Sequence, residues 1–323
     1  MHVNIIIVFL CMIFVMIVIF LIIILPIYIA KRISNAEQYD IQIGNTPQKW
    51  ELGYVYDELV IIEPNISNKN WSQWFLPAAH ETYFIPTKNG YSHVWWFKHT
   101  KMSKTILMFH GSRLNNRTSY SLLVAGMLFK NGFDVVMAEY SDHGYASVDD
   151  NRRNMGAKEI DDAVGICDFI ISTGVPIESI GLYGQSMGGT IALLLARVRS
   201  CTHVITDGAL IYNDEMIKND AYKRCNLSWL YPFGKFVTSA YLRYMQCYVP
   251  EIKSSYTCQY MIIQSYGDEC VTNNHGEVFQ RANKHNVTLK YYAGGHLHGP
   301  FLNSVNYEHT ICYFFNNGLL CRT

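Results

Sequence analysis

The chain has 323 residues, half of them hydrophobic, with 26 basic and 26 acidic side chains and a formal net charge of zero. That length fits one large α/β domain or two small ones. The balanced charge leaves no electrostatic footprint for a nucleic acid or another polyanion.

From Ile5 to Ala30 no charged residue interrupts the chain, and Leu, Ile, Val, Phe and Met dominate. At about 1.5 Å per residue such a helix exceeds the roughly 20 residues that span a bilayer. No Lys or Arg precedes it, and the apolar run is longer than a secretory h-region. The sequence therefore predicts an uncleaved single-pass anchor over residues 1–32. Its orientation is read in two ways. Lys31 and Arg32 directly follow the span, which by the positive-inside rule leaves the body in the cytosol. Five N-x-S/T sequons, at Asn65, Asn70, Asn116, Asn226 and Asn286, favour a lumenal or extracellular body instead. Beyond Cys11 in the span, Cys167, Cys201, Cys225, Cys247, Cys258, Cys270, Cys312 and Cys321 contain no C-x-x-C pair, so no zinc or redox motif is expected. Cys225, Cys247 and Cys258 fall close together and could be bridged in an oxidising compartment.

Residues 33–80 form a mixed connecting segment, and the body is expected over 81–323. Thr82 to Pro86 and Tyr91 to Phe97 flank Lys88-Asn89-Gly90, a hairpin signal. Strands and helices then alternate. Strands are predicted at Thr105 to Phe109, Phe133 to Glu139, Ile180 to Tyr183, His203 to Thr206, Gln259 to Ser265 and Val287 to Tyr292. Helices are predicted at Thr118 to Lys130, Gly156 to Ser172, Thr190 to Ala196, His275 to Lys284 and Val305 to Phe315. This alternation implies a mostly parallel sheet with helices on both faces.

The chemistry centres on Gly184-Gln185-Ser186-Met187-Gly188-Gly189, between an apolar strand and an apolar helix. The pattern matches the G-x-S-x-G nucleophile elbow, which lifts a serine hydroxyl above the sheet on a tight strand-to-helix turn. A serine needs a base. His296, in the loop after the last predicted strand, is the candidate, with His298 as competitor in the same loop. The base needs a carboxylate to fix its tautomer. Asp268 follows the strand Gln259 to Ser265, with Glu269 beside it and Asp207 after an earlier strand as alternatives. Ser186, Asp268 and His296 thus occur in the α/β-hydrolase chain order. The oxyanion donors are assigned to the N–H of Met187 and, from the loop after Thr105 to Phe109, the N–H of Ser112. His110 is assigned a structural role.

The stretch from Lys104 to Asn316 resembles an α/β-hydrolase. The residues that carry the likeness are His110-Gly111-Ser112, Glu139-Tyr140-Ser141-Asp142-His143-Gly144, GQSMGG, YGDECV and GGH. The set is similar to membrane-anchored α/β-hydrolase-domain proteins and their prolyl-oligopeptidase-like relatives. That resemblance implies a serine hydrolase acting on a lipid ester or acyl thioester, with no metal or cofactor. The sequence departs from those relatives after His110-Gly111, where Ser-Arg-Leu-Asn-Asn replaces a small glycine-containing run. An insertion at about 211–257, rich in aromatic residues, occupies the usual place of a cap. It suits either a lid over a hydrophobic acyl substrate or a helix packed on the body. A serine peptidase and a catalytically silent membrane binding module remain the alternative readings.

Overall fold

A computed structural model describes residues 2–36, 45–52, 63, 65–100, 103–212, 218, 222–223 and 226–319. Cys225, Cys321 and parts of the connecting segment and of the cap insertion lie outside the described residues.

The N-terminal apolar segment begins as helix α1 (His2–Ile19), passes through a π-helical turn (Phe20–Ile24) and continues as α2 (Leu25–Ser34). Its side chains are largely exposed from Ile5 to Ile24, and burial starts at Pro26. The apolar helix is long enough to cross a membrane. The connecting segment is less peripheral than its composition suggests: Trp50, Trp71, Trp74 and Leu76 are buried in the core of the body.

Strands β1 (Glu81–Thr87) and β2 (Gly90–Phe97) form the expected hairpin, with Thr87 paired to Gly90. Gly90, at φ +121°, takes a backbone conformation that a side chain would resist. The other strands are β3 (Thr105–Phe109), β4 (Asp134–Glu139), β5 (Ile180–Gln185), β6 (His203–Asp207), β7 (Gln259–Ser265) and β8 (Val287–Tyr292). The eight lie in the order β1-β2-β4-β3-β5-β6-β7-β8. The β1–β2 and β2–β4 pairings are antiparallel and the rest are parallel. Every residue of β3, β4 and β5 is buried, as uninterrupted apolar strands in a sheet covered on both faces must be.

Two hydrophobic clusters divide the core by sheet face. One gathers α3 (Ser119–Lys130), α9 (Ser304–Gly318) and the tryptophans Trp50, Trp71, Trp74 and Trp95. The other gathers α4 (Glu159–Ser172), α5 (Met187–Arg199), the end of the anchor helix and the cap. The cap contributes α6 (Tyr231–Tyr244) among its described residues. α7 (Asn274–Ala282) precedes β8, and the short α8 (Gly299–Leu302) leads into α9. Cys247 and Cys258 are both free and buried, and burial pushes both thiols up to about 12.

Candidate active site

Parallel strands deliver their loops to one edge of the sheet, and the candidate residues all lie there. Ser186 follows β5 directly and caps the start of α5 with φ 52° and ψ −120°. A non-glycine residue rarely occupies this region, and its cost is borne because the surroundings fix the turn. The Ser186 N–H donates to the Asp207 carbonyl at 2.8 Å, and its own carbonyl accepts from the Gly189 N–H at 2.9 Å. Strand and helix also approach too closely for side chains here. A Cβ at Gly188 would overlap the Phe109 carbonyl, and one at Gly184 would overlap the Gly188 carbonyl. The half-buried serine is therefore held by backbone on both sides.

The competing histidines occupy different environments. His296 Nδ1 lies 2.7 Å from Asp268 Oδ2, with the carboxylate buried and the imidazole partly exposed. Asp268 Oδ1 accepts from the Cys270 and Val271 N–H groups, each at 2.8 Å, which aims the other oxygen at the ring. His298 is instead buried, and its Nδ1 accepts from the Gly295 N–H at 2.9 Å. It shapes the loop that carries His296. The alternative acids are likewise engaged elsewhere. Glu269 is exposed and pairs with Lys223. Asp207 is buried and accepts from the Tyr307 hydroxyl at 2.7 Å. The imidazole of His296 also rests against Gly208, where an added Cβ would meet ring carbon Cε1 at 2.8 Å. Gly208 directly follows the residue that takes the Ser186 N–H.

Burial raises the Asp207 carboxyl to about 7. Unfolded, it releases its proton near the ordinary aspartate value of about 4. Between these limits the folded form holds the extra proton, so this contribution to stability is lost as pH rises through the window. Asparagine cannot ionise but keeps an acceptor for Tyr307. The Tm of Asp207→Asn relative to wild type should therefore climb between about pH 4 and 7 in thermal melts. A difference that does not change with pH would contradict a protonated Asp207.

The loop after β3 lies against the serine: a Cβ at Gly111 would sit 3.3 Å from Ser186 Cβ. Its shape is fixed by residues for which the sequence offered only a motif. Arg113, at φ 62°, donates its N–H to His143 Nε2 at 3.3 Å, while His143 Nδ1 lies 3.0 Å from the Ser141 carbonyl. One consistent tautomer serves both bonds, with the proton on Nδ1. Burial keeps the ring neutral by lowering it to about 3. His110 is structural as expected: it is fully buried, lowered to about 4 by desolvation, and stacked on Tyr140. The half-buried Ser112 places its Oγ 3.3 Å from Arg153 Nη1. Arg153 Nε donates in turn to the Ile33 carbonyl in the last turn of the anchor helix. No local signal in the sequence links Arg153 to Ser112, because the contact joins segments far apart in the chain.

The sequon at Asn116 is incompatible with a glycan in this fold. Its side chain is buried and its Nδ2 donates to the Met137 carbonyl at 3.0 Å. Among the described residues, the only cluster with metal-ligand spacing is Asp142, Asp149 and Asp150. Lys158 already pairs with Asp149 and Asp150, and Asp142 accepts backbone N–H groups.

The strand order, together with a serine, a carboxylate and a histidine carried on loops after β5, β7 and β8, defines the α/β-hydrolase fold. No protein-family model matches the chain, and no curated protein matches it by sequence. Solved structures share the fold. An esterase from Pyrococcus furiosus is similar at TM-score 0.60 and 22% identity, over 75% of this chain and 94% of that one. The α/β hydrolase GrgF from a Penicillium species aligns at TM-score 0.57 and 15% identity, over 76% of this chain and 99% of that one. An α/β serine hydrolase without lid from Xanthomonas campestris aligns at TM-score 0.54 and 13% identity, over 77% and 99%.

Proposed function

We propose that this chain is a membrane-anchored serine hydrolase that cleaves a carboxylic ester or thioester of a hydrophobic acyl substrate. The observation that carries the reading is the His296–Asp268 pair, presented at the same sheet edge as a serine held in the strained elbow conformation. Ser186 Oγ attacks the acyl carbonyl while His296 Nε2 takes its proton. The oxyanion forms against the N–H groups of Met187 and Ser112, the former at the positive end of α5. The tetrahedral intermediate collapses as the imidazolium gives its proton to the departing alcohol or thiol, leaving an acyl-serine. Water, deprotonated by the same histidine, then releases the acid and restores the serine.

The exposed apolar helix Ile5–Ile24 supports the anchor reading. The aromatic cap supports a hydrophobic substrate. The esterase and serine hydrolases that share the fold add weight to hydrolysis as the chemistry. A fluorophosphonate probe applied to the membrane-extracted full chain tests the reading. Wild type should be labelled and Ser186→Ala should not. A folded wild type that resists labelling would instead favour a catalytically silent membrane module.

A further inference from the structure

The described part of the cap insertion does not simply pack on the body. Its helix α6 turns one face inward, with Leu230 just ahead of it and Gly234, Thr238 and Leu242 along it buried. That face meets the anchor: Thr238 Oγ1 lies 3.3 Å from the Pro26 carbonyl, and a Cβ at Gly234 would lie 2.9 Å from Pro26 Cγ. Among the described residues, the opposite face is left largely exposed. Phe233, Phe236 and Tyr244 are 62%, 73% and 82% exposed, at spacings that align them along one side of the helix, and Trp229, in the 3-10 turn just ahead of it, is 59% exposed. A contiguous aromatic face of this kind marks an interaction surface.

Continuity with the anchor identifies what covers it. Ile5 to Ile24 stays exposed and, at about 1.5 Å per residue, amounts to about 30 Å of helix, the thickness of a bilayer's hydrocarbon core. Leu21 and Leu25, at the end of this stretch and just beyond it, already pack against the body, and Pro26 is the first residue of the helix to be fully buried. The contact of α6 with Pro26 therefore places this helix at the depth where hydrocarbon gives way to headgroups. Aromatic residues favour that zone, because their rings bury apolar area while polar edges stay wet. The charges agree. No acidic residue occurs from Tyr231 to Tyr244, whereas the basic Lys235 lies beside Phe236, 5.2 Å from its ring, and Arg243 lies over Tyr248, so the only charges on this helix are of the sign that anionic headgroups attract.

We infer that the exposed face of α6 is a lipid-binding surface, seated in the interface of the same membrane that holds the anchor. The inference rests on the anchor reading above. One consequence concerns the site. Arg153 touches both the last turn of the anchor helix and Ser112, so the oxyanion loop lies one side chain away from the membrane-bound element. A substrate leaving the bilayer beside α6 would have little water to cross.

The chain contains its own reporter. Of its six tryptophans, Trp50, Trp71, Trp74, Trp95 and Trp96 are buried and Trp229 is exposed. The full chain is reconstituted in phosphatidylcholine vesicles, with and without phosphatidylcholine brominated near the top of its acyl chains. Wild type should lose roughly one sixth of its emission to the brominated lipid, the share of Trp229 among six tryptophans. Trp229→Phe should lose much less. Aqueous iodide should quench wild type and Trp229→Phe alike in vesicles. If protein that floats with the vesicles leaves Trp229 open to iodide and untouched by bromine, the lipid surface is refuted. If Trp229 is shielded from both, another protein or a second copy covers the face, which also refutes it. Failure to float at all would overturn the anchor reading itself.

Discussion

Alanine at position 296 is expected to slow hydrolysis of an activated ester by about a million-fold, which is about 8 kcal/mol of transition-state stabilisation. The reason is that serine and histidine act as one unit. Without the imidazole, Ser186 keeps its proton at neutral pH, and the leaving group must depart without an acid. For the same reason the losses should not add. The double variant Ser186→Ala, His296→Ala should be about as slow as either single one, with the residue of activity coming from oxyanion binding and substrate positioning. His298 provides the contrast. Its Nδ1 satisfies the Gly295 N–H inside the loop, so His298→Ala removes the partner of a part-buried donor, at a cost of about 1 kcal/mol in stability. Single-turnover rates and thermal melts, run side by side, separate the two effects. If His298→Ala lost the rate and His296→Ala kept it, the assignment of the base would be wrong.

Asp268→Asn should lower turnover by about ten-thousand-fold while leaving the fold intact. Asparagine retains an oxygen to accept from the Cys270 and Val271 N–H groups, so the loop keeps its form. It then presents an amide where His296 needs an acceptor. The ring is driven to the opposite tautomer, with its proton on the nitrogen that must act as base, and the charge that steadies the imidazolium is gone. Asp207→Asn is the control. Its carboxyl is bonded to Tyr307 rather than to the imidazole, so its effect should fall on the pH dependence of stability more than on rate. Equal rate losses in the two variants would show that the acids act jointly.

Much of this molecule could be read from one dimension. Strand and helix periods are local properties, so β3, β7 and β8 have the boundaries that the apolar runs predict. The glycines around Ser186 announce the elbow because only that turn brings strand and helix backbones so close. The order of serine, acid and histidine is likewise written along the chain. The connecting segment was legible only in part, since five of its apolar side chains, Trp50, Ile66, Trp71, Trp74 and Leu76, find a core built by residues far downstream.

Which of several similar residues meets which partner was decided by the tertiary structure. His296 and His298 stand two positions apart in one loop, yet one turns to Asp268 and the other to its own backbone, with Leu297 between them at φ 63°. Asp207 ends β6 and Asp268 follows β7, but α9 brings Tyr307 to the first and leaves the second for the imidazole. Asn116 reads as a glycosylation signal until β4 packs over it and takes its amide. Arg153, Ser112 and Ile33 have no pattern in common and meet only after the anchor helix docks on the body. Local sequence sets backbone preference and the period of burial. Hydrogen-bond partners depend on loops that converge from distant segments, and their geometry exists only once the sheet has formed.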